Sequence, residues 1–257
     1  MKIAITGEGP IDYGRNEYDK KADDSILEKG AAEGYAEKLA SGRQIDWYFA
    51  PRAKVQEFEF QGRHSSIKKE LAAVEGDTEG KALNAARFVS FVSLNFPECE
   101  YAIYYSDADR STGMKNSQPD RAKKRFDEVY HQIEAGLQVQ KDTLKSIPMV
   151  ALRIIENWLL ADQNCLCRLL HISQPVIDRN GHFELLWGDE ANEKSHHPKC
   201  LLNAMRKQAD KRWSGISPYD IAREENPKVL AQNCPTSFGR FKEDFCKIIE
   251  DSELAEK

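Results

Sequence analysis

Short runs of apolar, β-branched and aromatic residues recur along the chain, separated by longer stretches in which apolar positions fall three and four apart. That alternation is the pattern of a mostly parallel sheet covered by helices, because each buried parallel strand is followed by a crossover helix. Lys2–Thr6 reads as the first strand, Asp46–Ala50 as the second, Tyr101–Tyr105 as the third, running into Ser106-Asp107, and Ile147–Leu152 as the fourth. Val55–Phe60 alternates as a short edge strand does. The spacing of Ile26, Leu27, Ala31, Tyr35 and Leu39 predicts a helix over Ser25–Leu39, with others over Gly80–Leu94 and Asp120–Leu144 and one containing Glu156 to Asp162. Beyond about Gln163 short helices, prolines and polar loops take over. The expected organisation is an α/β domain over residues 1–162 and a helical C-terminal extension over residues 163–257. The extension is expected to pack on the domain, since no flexible Gly/Ser linker separates them.

The chain has 257 residues, 40% hydrophobic and 31% charged, which describes a globular protein with a sizeable core. No apolar run approaches the roughly 20 residues needed to span a bilayer. The opening residues lack the basic start and apolar stretch of a secretory signal, so a cytoplasmic location is expected. Six cysteines without a framework spacing read as packing thiols in a reducing compartment. A net charge of −5 excludes a surface that is a uniform trap for nucleic acid. Two local basic stretches, Arg121 to Arg125 and Arg206 to Arg212, read first as solvated helix faces, and a nucleic-acid path along the second is the alternative. Cys165, Cys167, His171, His196, His197 and Cys200 are soft ligands whose spacing matches no usual zinc arrangement. Trp158, flanked by leucines, reads as core. No phosphate-binding glycine loop, nucleophile elbow or kinase motif occurs, so any nucleotide hydrolysis has to come from a partner.

Two strand ends carry the candidate chemistry. The first strand runs into Gly7-Glu8-Gly9-Pro10 with Asp12 just beyond, and the third ends in Asp107-Ala108-Asp109. Ligands of open parallel sheets sit beyond the carboxyl ends of the strands, where the strand order reverses, so both acidic elements are expected at one edge. Aspartates one residue apart after a strand suit a hard cation such as Mg²⁺, which takes oxygen ligands and keeps waters and substrate phosphates. Glycines beside Glu8 allow the backbone to turn close to a ligand. Glu156 stands at the end of the fourth strand. Asp12 and Asp162 fit a helix cap equally well.

A strand ending in Gly-Glu-Gly-Pro-x-Asp, followed two strands later by one ending in Asp-x-Asp, resembles the TOPRIM domain of topoisomerases, bacterial primases and old-type nucleases. The stretch Ile147 to Asp162, with Pro198-Lys199 and the closing Cys234-Pro-Thr-Ser-Phe-Gly-Arg-Phe241, is similar to small stand-alone bacterial TOPRIM-like proteins. The resemblance implies a Rossmann-like TOPRIM fold, a mostly parallel sheet flanked by helices, and Mg²⁺- (or Mn²⁺-) dependent phosphodiester chemistry on DNA or RNA. It makes Glu8, Asp107, Asp109 and Glu156 the candidate catalytic residues, with Glu8, Asp107 and Asp109 as metal ligands. In that scheme Asp107 and Asp109 hold one ion, and Glu8 either ligates a second or acts as general base. Asp12, Arg110 and Arg153 are candidate substrate contacts, a structural ion pair being the alternative for each arginine. The function implied is a nuclease of a bacterial anti-phage defence or repair system with an ATPase partner. The other reading is a non-catalytic metal-binding adaptor subunit of such a complex. Ile11 departs from the threonine often found there, and neither a topoisomerase tyrosine domain nor a primase zinc module is visible.

Overall fold

The computed structural model describes residues 1–8, 29–60, 66–67, 69, 71, 80–108, 119–173, 177, 183–209 and 215–255, with side chains as far as 250. Four strands, β1 (Lys2–Thr6), β2 (Asp46–Phe49), β3 (Tyr101–Asp107) and β4 (Lys145–Ala151), form one sheet in the order β2-β1-β3-β4. Every pairing is parallel, with Ile3 opposite both Trp47 and Tyr101, and Asp107 opposite Ala151. The order reverses between β1 and β3.

Successive side chains of a strand point to opposite faces, and both faces here are covered. Ile3, Ile5, Tyr101, Ile103, Tyr105 and Met149 join one apolar cluster, which includes helix α1 (Ala31–Leu39) and much of the C-terminal part. Ala4, Ala102 and Val150 turn the other way, into a cluster with α3 (Lys81–Asn95) and α4 (Pro119–Leu137). The short helix α2 (Arg52–Gln56) lies between β2 and α3. After β4 the chain is helical among the described residues: α5 (Glu156–Leu159), α6 (Gln163–Leu170), α7 (Pro198–Gln208), α8 (Pro218–Glu224), α9 (Pro227–Asn233) and α10 (Phe238–Ala255). These helices share the core of the sheet. Trp158, fully buried, stacks with Phe241, meets Tyr35 and Phe238 edge-on, and donates its indole N–H to Ser237 Oγ at 2.9 Å. No helix among the described residues is long and apolar enough to cross a membrane.

Three expectations from the sequence pattern are corrected. Val55–Phe60 is no edge strand: Pro51 precedes α2 as its cap, Val55 is buried within that helix, and Phe58 meets Phe91 of α3 edge-on. Buried positions at the ends of one helical turn and in the extended segment after it mimic a period of two. The helix predicted to Leu144 ends at Leu137 and tightens into a 3₁₀ turn, Gln138–Gln140. The helix expected through Asp162 is a single turn, because Asp162 caps the next helix by accepting from Cys165 N at 3.1 Å. The first part of the helix predicted over Ser25–Leu39 lies outside the described residues.

Helices α3 and α4 meet where α4 carries Gly136. A Cβ built there lies 2.1 Å from the carbonyl oxygen of Ala82, a backbone atom that cannot swing aside. Gly136→Ala therefore wedges α4 away from the first turn of α3. We expect a loss of about 1–3 kcal/mol in denaturant unfolding, the cost of overpacking a close interface; unchanged stability contradicts this packing.

Candidate functional site

At the β1/β3 reversal Glu8 stands two residues past β1, and β3 runs on through Asp107, two residues beyond its predicted length. Alternation puts Tyr105 and Asp107 on the α1 face and Ser106 on the α3 face. Lys81 opens α3 directly after Gly80, whose left-handed conformation (φ 67°) suits glycine. The Lys81 ammonium reaches Glu8 Oε1 at 2.9 Å, Ser106 Oγ at 2.6 Å and the Asp107 carbonyl oxygen at 3.4 Å. Ser106 Oγ also donates to Glu8 Oε1 at 2.7 Å, closing a triangle. The Lys81 and Glu8 side chains are only 9% and 10% exposed, so neither charge is tolerable without the other. Arg52 of α2 donates to the Glu8 carbonyl oxygen at 3.1 Å and so fixes the turn after β1.

On the opposite face the Asp107 carboxylate accepts the Tyr105 hydroxyl, and Ala108 N donates to the Ala151 carbonyl at 2.9 Å, tying the end of β3 to β4. Beyond β4, Arg153 and Glu156 are buried at 2% and 3% exposure. Burial pushes the Glu156 carboxyl up, against the pull of Lys199 and Arg206. Lys199, from the first turn of α7, is held protonated above its ordinary range: burial opposes this, but Glu156, Glu190 and Asp107 together outweigh it. The Lys199 ammonium therefore feels Asp107 and Glu156 at once, and it bonds Glu190 Oε1 at 3.1 Å. The Arg153 guanidinium lies 5.5 Å from the Trp187 ring centre, and that ring packs on His197. Arg125 Nε donates to the Ala108 carbonyl at 3.3 Å and so anchors the basic start of α4 beside the same strand end.

Glu8, Asp107, Glu156 and Arg153 thus come to one sheet edge, but on two sides of it. Glu8 belongs to the α3 face with Lys81 and Ser106; Asp107, Glu156 and Arg153 belong to the face shared with α5 and α7. Asp12, Asp109 and Arg110 lie outside the described residues. Asp162 is a cap, its second oxygen accepting from Asn226 N at 3.0 Å. In the basic stretch from Arg206 to Arg212, Arg206 is part-buried and donates to the Ile216 carbonyl, and Lys207, exposed, pairs with Glu193; Lys211 and Arg212 lie outside the described residues. Cysteines 99, 165, 167, 200, 234 and 246 carry free thiols. Sequence reasoning missed Arg52, Lys81, Ser106 and Tyr105, and gave Lys199 no role. The available signal was position: a lysine opening a crossover helix faces the carboxyl edge of a parallel sheet.

Among the described residues no three His, Cys, Asp or Glu side chains gather closely enough to hold a metal. Mg²⁺ requires only one or two protein carboxylates when waters and substrate phosphates complete its shell. Asp107 meets that demand, at the strand end and oriented by the Tyr105 hydroxyl as outer partners orient metal ligands. Glu8, its charge already matched by Lys81, suits a positioned acid or base better than a ligand. No protein-family model, curated protein or solved structure matches the chain.

Because the folded state raises the Glu156 pKa above 4.5, the folded protein keeps this proton longer than the unfolded chain does. The group's contribution to stability therefore falls as pH rises above the unfolded value. Glu156→Gln removes that loss. The melting temperature of the variant is expected to gain on that of wild type as pH rises from 4.5 and to level off once Glu156 is ionised in the folded protein; a pH-independent difference contradicts the assignment.

Proposed function

We propose that the chain is a Mg²⁺- (or Mn²⁺-) dependent phosphodiester hydrolase acting on nucleic acid, built on a TOPRIM-type α/β domain. Its setting is the bacterial cytoplasm, in an anti-phage defence or repair complex whose ATPase supplies the nucleotide hydrolysis that this sequence has no motif for. The observation that supports the reading is that Glu8, just past β1, and Asp107, at the end of β3, stand at one carboxyl edge where the strand order reverses, with Lys81 bonded to the Glu8 carboxylate and to the Asp107 carbonyl oxygen.

Each residue then has a role that follows from its surroundings. Asp107, together with Asp109, would hold the ion, which would neutralise phosphate charge and make water a stronger nucleophile. Glu8, fixed by Lys81 and Ser106, takes the proton from the attacking water. Glu156, whose burial favours the protonated carboxyl, gives a proton to the departing oxygen. Lys199, whose ammonium feels the charges of Asp107 and Glu156, draws the phosphate oxygens in. Arg121, Lys123 and Lys124, exposed on the first turns of α4, carry the strand toward the edge.

One observation favours a second reading, a non-catalytic metal-binding adaptor: the charge of Glu8 is already satisfied within the protein. The two separate in one assay. Labelled DNA and RNA are incubated with the protein, alone and with the proposed ATPase partner, in Mg²⁺, Mn²⁺ or EDTA. Metal-dependent cleavage is expected, reduced about 10²-fold or more in Glu8→Gln and abolished in Asp107→Asn, with circular dichroism of both variants unchanged. A wild type that cuts nothing, or variants that cut as well as it does, gives the adaptor.

A further inference from the structure

Just before α7 the chain makes a short loop, residues 188–197, that folds back on itself. It starts at Gly188, where a Cβ would lie 2.6 Å from the backbone nitrogen of His197, so the two ends of the loop touch. Ser195 Oγ closes it by donating to the Asp189 carbonyl at 2.6 Å and accepting from His197 N at 3.2 Å. Asp189 Oδ1 takes Ala191 N at 3.0 Å, and the Cys200 thiol of α7 donates to the Glu190 carbonyl at 3.5 Å. The loop is therefore a built turn tied to the helix that follows it.

What it presents is negative charge. Asp189, Glu190 and Glu193 outnumber Lys194, and all four are exposed. Glu190 Oε1 meets Lys199 Nζ at 3.1 Å and Glu193 Oε2 meets Lys207 Nζ at 3.1 Å, so two carboxylates of one loop sit on two lysines of one helix. Lys199 feels Asp107 and Glu156, and Arg206 of the same helix also acts on Glu156, so α7 runs past the candidate site. Eight residues separate the lysines, about 12 Å at 1.5 Å rise per residue. A duplex strand carries one negative charge per about 3.4 Å, so the two ammoniums span about three to four phosphates. Their present partners are easily replaced. Lys199 and Glu190 are 40% and 62% exposed, Lys207 and Glu193 67% and 83%. Ion pairs so open to water add little to folding, and a phosphate oxygen accepts from an ammonium as a carboxylate does.

We propose that α7 carries a track for a nucleic-acid backbone beside the candidate site, and that the loop of residues 188–197 is an acidic strap over it, with Glu190 and Glu193 standing where strand phosphates bind. The proposal rests on the reading of nucleic acid as substrate and adds a gate to it. A strand that takes Lys199 and Lys207 displaces both carboxylates of the strap.

The test is binding without turnover. Fluorescence anisotropy in EDTA measures the affinity of short labelled DNA and RNA strands for the wild type and for Glu190→Gln combined with Glu193→Gln. The substituted positions are exposed, so folding is not at risk. Each exposed pair holds its lysine by up to about fivefold, and the double variant is expected to bind about threefold or more tightly than wild type. Glu98→Gln with Glu100→Gln makes the same change of charge just before β3, at the amino edge of the sheet, and is expected to leave affinity level. Adding Lys207→Gln to the strap variant is expected to reverse part of the gain and to reduce the dependence of log affinity on log salt by about one. Binding that the strap variant leaves unchanged or weakens overturns the strap, and so does an equal gain from the pair before β3, which reduces the effect to net charge. A salt dependence that Lys207→Gln leaves unchanged overturns the track. The hydrolase reading fails separately: a wild type that cleaves strands but gains nothing from the strap variant loses the strap alone, whereas no binding by either protein loses the nucleic-acid substrate as well.

Discussion

A lysine ammonium and a glutamate carboxylate meet out of water at the carboxyl edge of the sheet, and the geometry of the site follows from that pair. Lys81 and Glu8 are 73 residues apart in sequence and 2.9 Å apart in space. A buried ion pair contributes little net stability, because desolvation offsets most of the attraction. What it gives is position. Ser106 bonds both partners, so the end of β3, the turn after β1 and the first residue of α3 have one mutual arrangement. That arrangement depends in turn on α3 lying close against α4 at Gly136, and on the register that sets Thr6 opposite Tyr104.

The strand edge then divides the chemistry. Parallel strands alternate their side chains between faces, so consecutive residues Ser106 and Asp107 serve different neighbourhoods. The α3 side holds Glu8 in a compensated, enclosed setting next to a small cavity. The other side gathers Asp107, Glu156 and Lys199, supplied by β3, by the turn after β4 and by a helix from the C-terminal part. The C-terminal helices are thus more than a cover for the sheet: Lys199 brings a positive charge to the edge from far along the chain, and Trp158 ties the same helices into the sheet's core.

The strands were legible because each is a short apolar run with turn residues after it, and Glu8 and Asp107 were legible because acids at such ends are conspicuous. Asp162 was also readable as a cap. The misreadings have local causes. Pro51 makes a turn of helix where the apolar pattern shows a period of two, and the capping demand of α6 ends the helix that begins at Glu156. Lys81 escaped notice for a different reason. A search for chemistry selects clusters of like residues, whereas the counter-ion of a buried acid is set by tertiary packing over many tens of residues and leaves no spacing to find. Lys199 is likewise remote in sequence, 92 residues from Asp107 and 43 from Glu156, and only the fold brings its charge to bear on both.

The central claim is that Lys81 and Glu8 are one unit. A double-mutant cycle measures this, with Lys81→Met, Glu8→Gln and their combination compared in denaturant unfolding. If the pair is a unit, Lys81→Met alone strands a buried carboxylate and costs about 3–5 kcal/mol, and adding Glu8→Gln restores most of that loss. If the two single losses simply add in the double variant, within about 0.5 kcal/mol, the residues are independent and this account of the site is wrong.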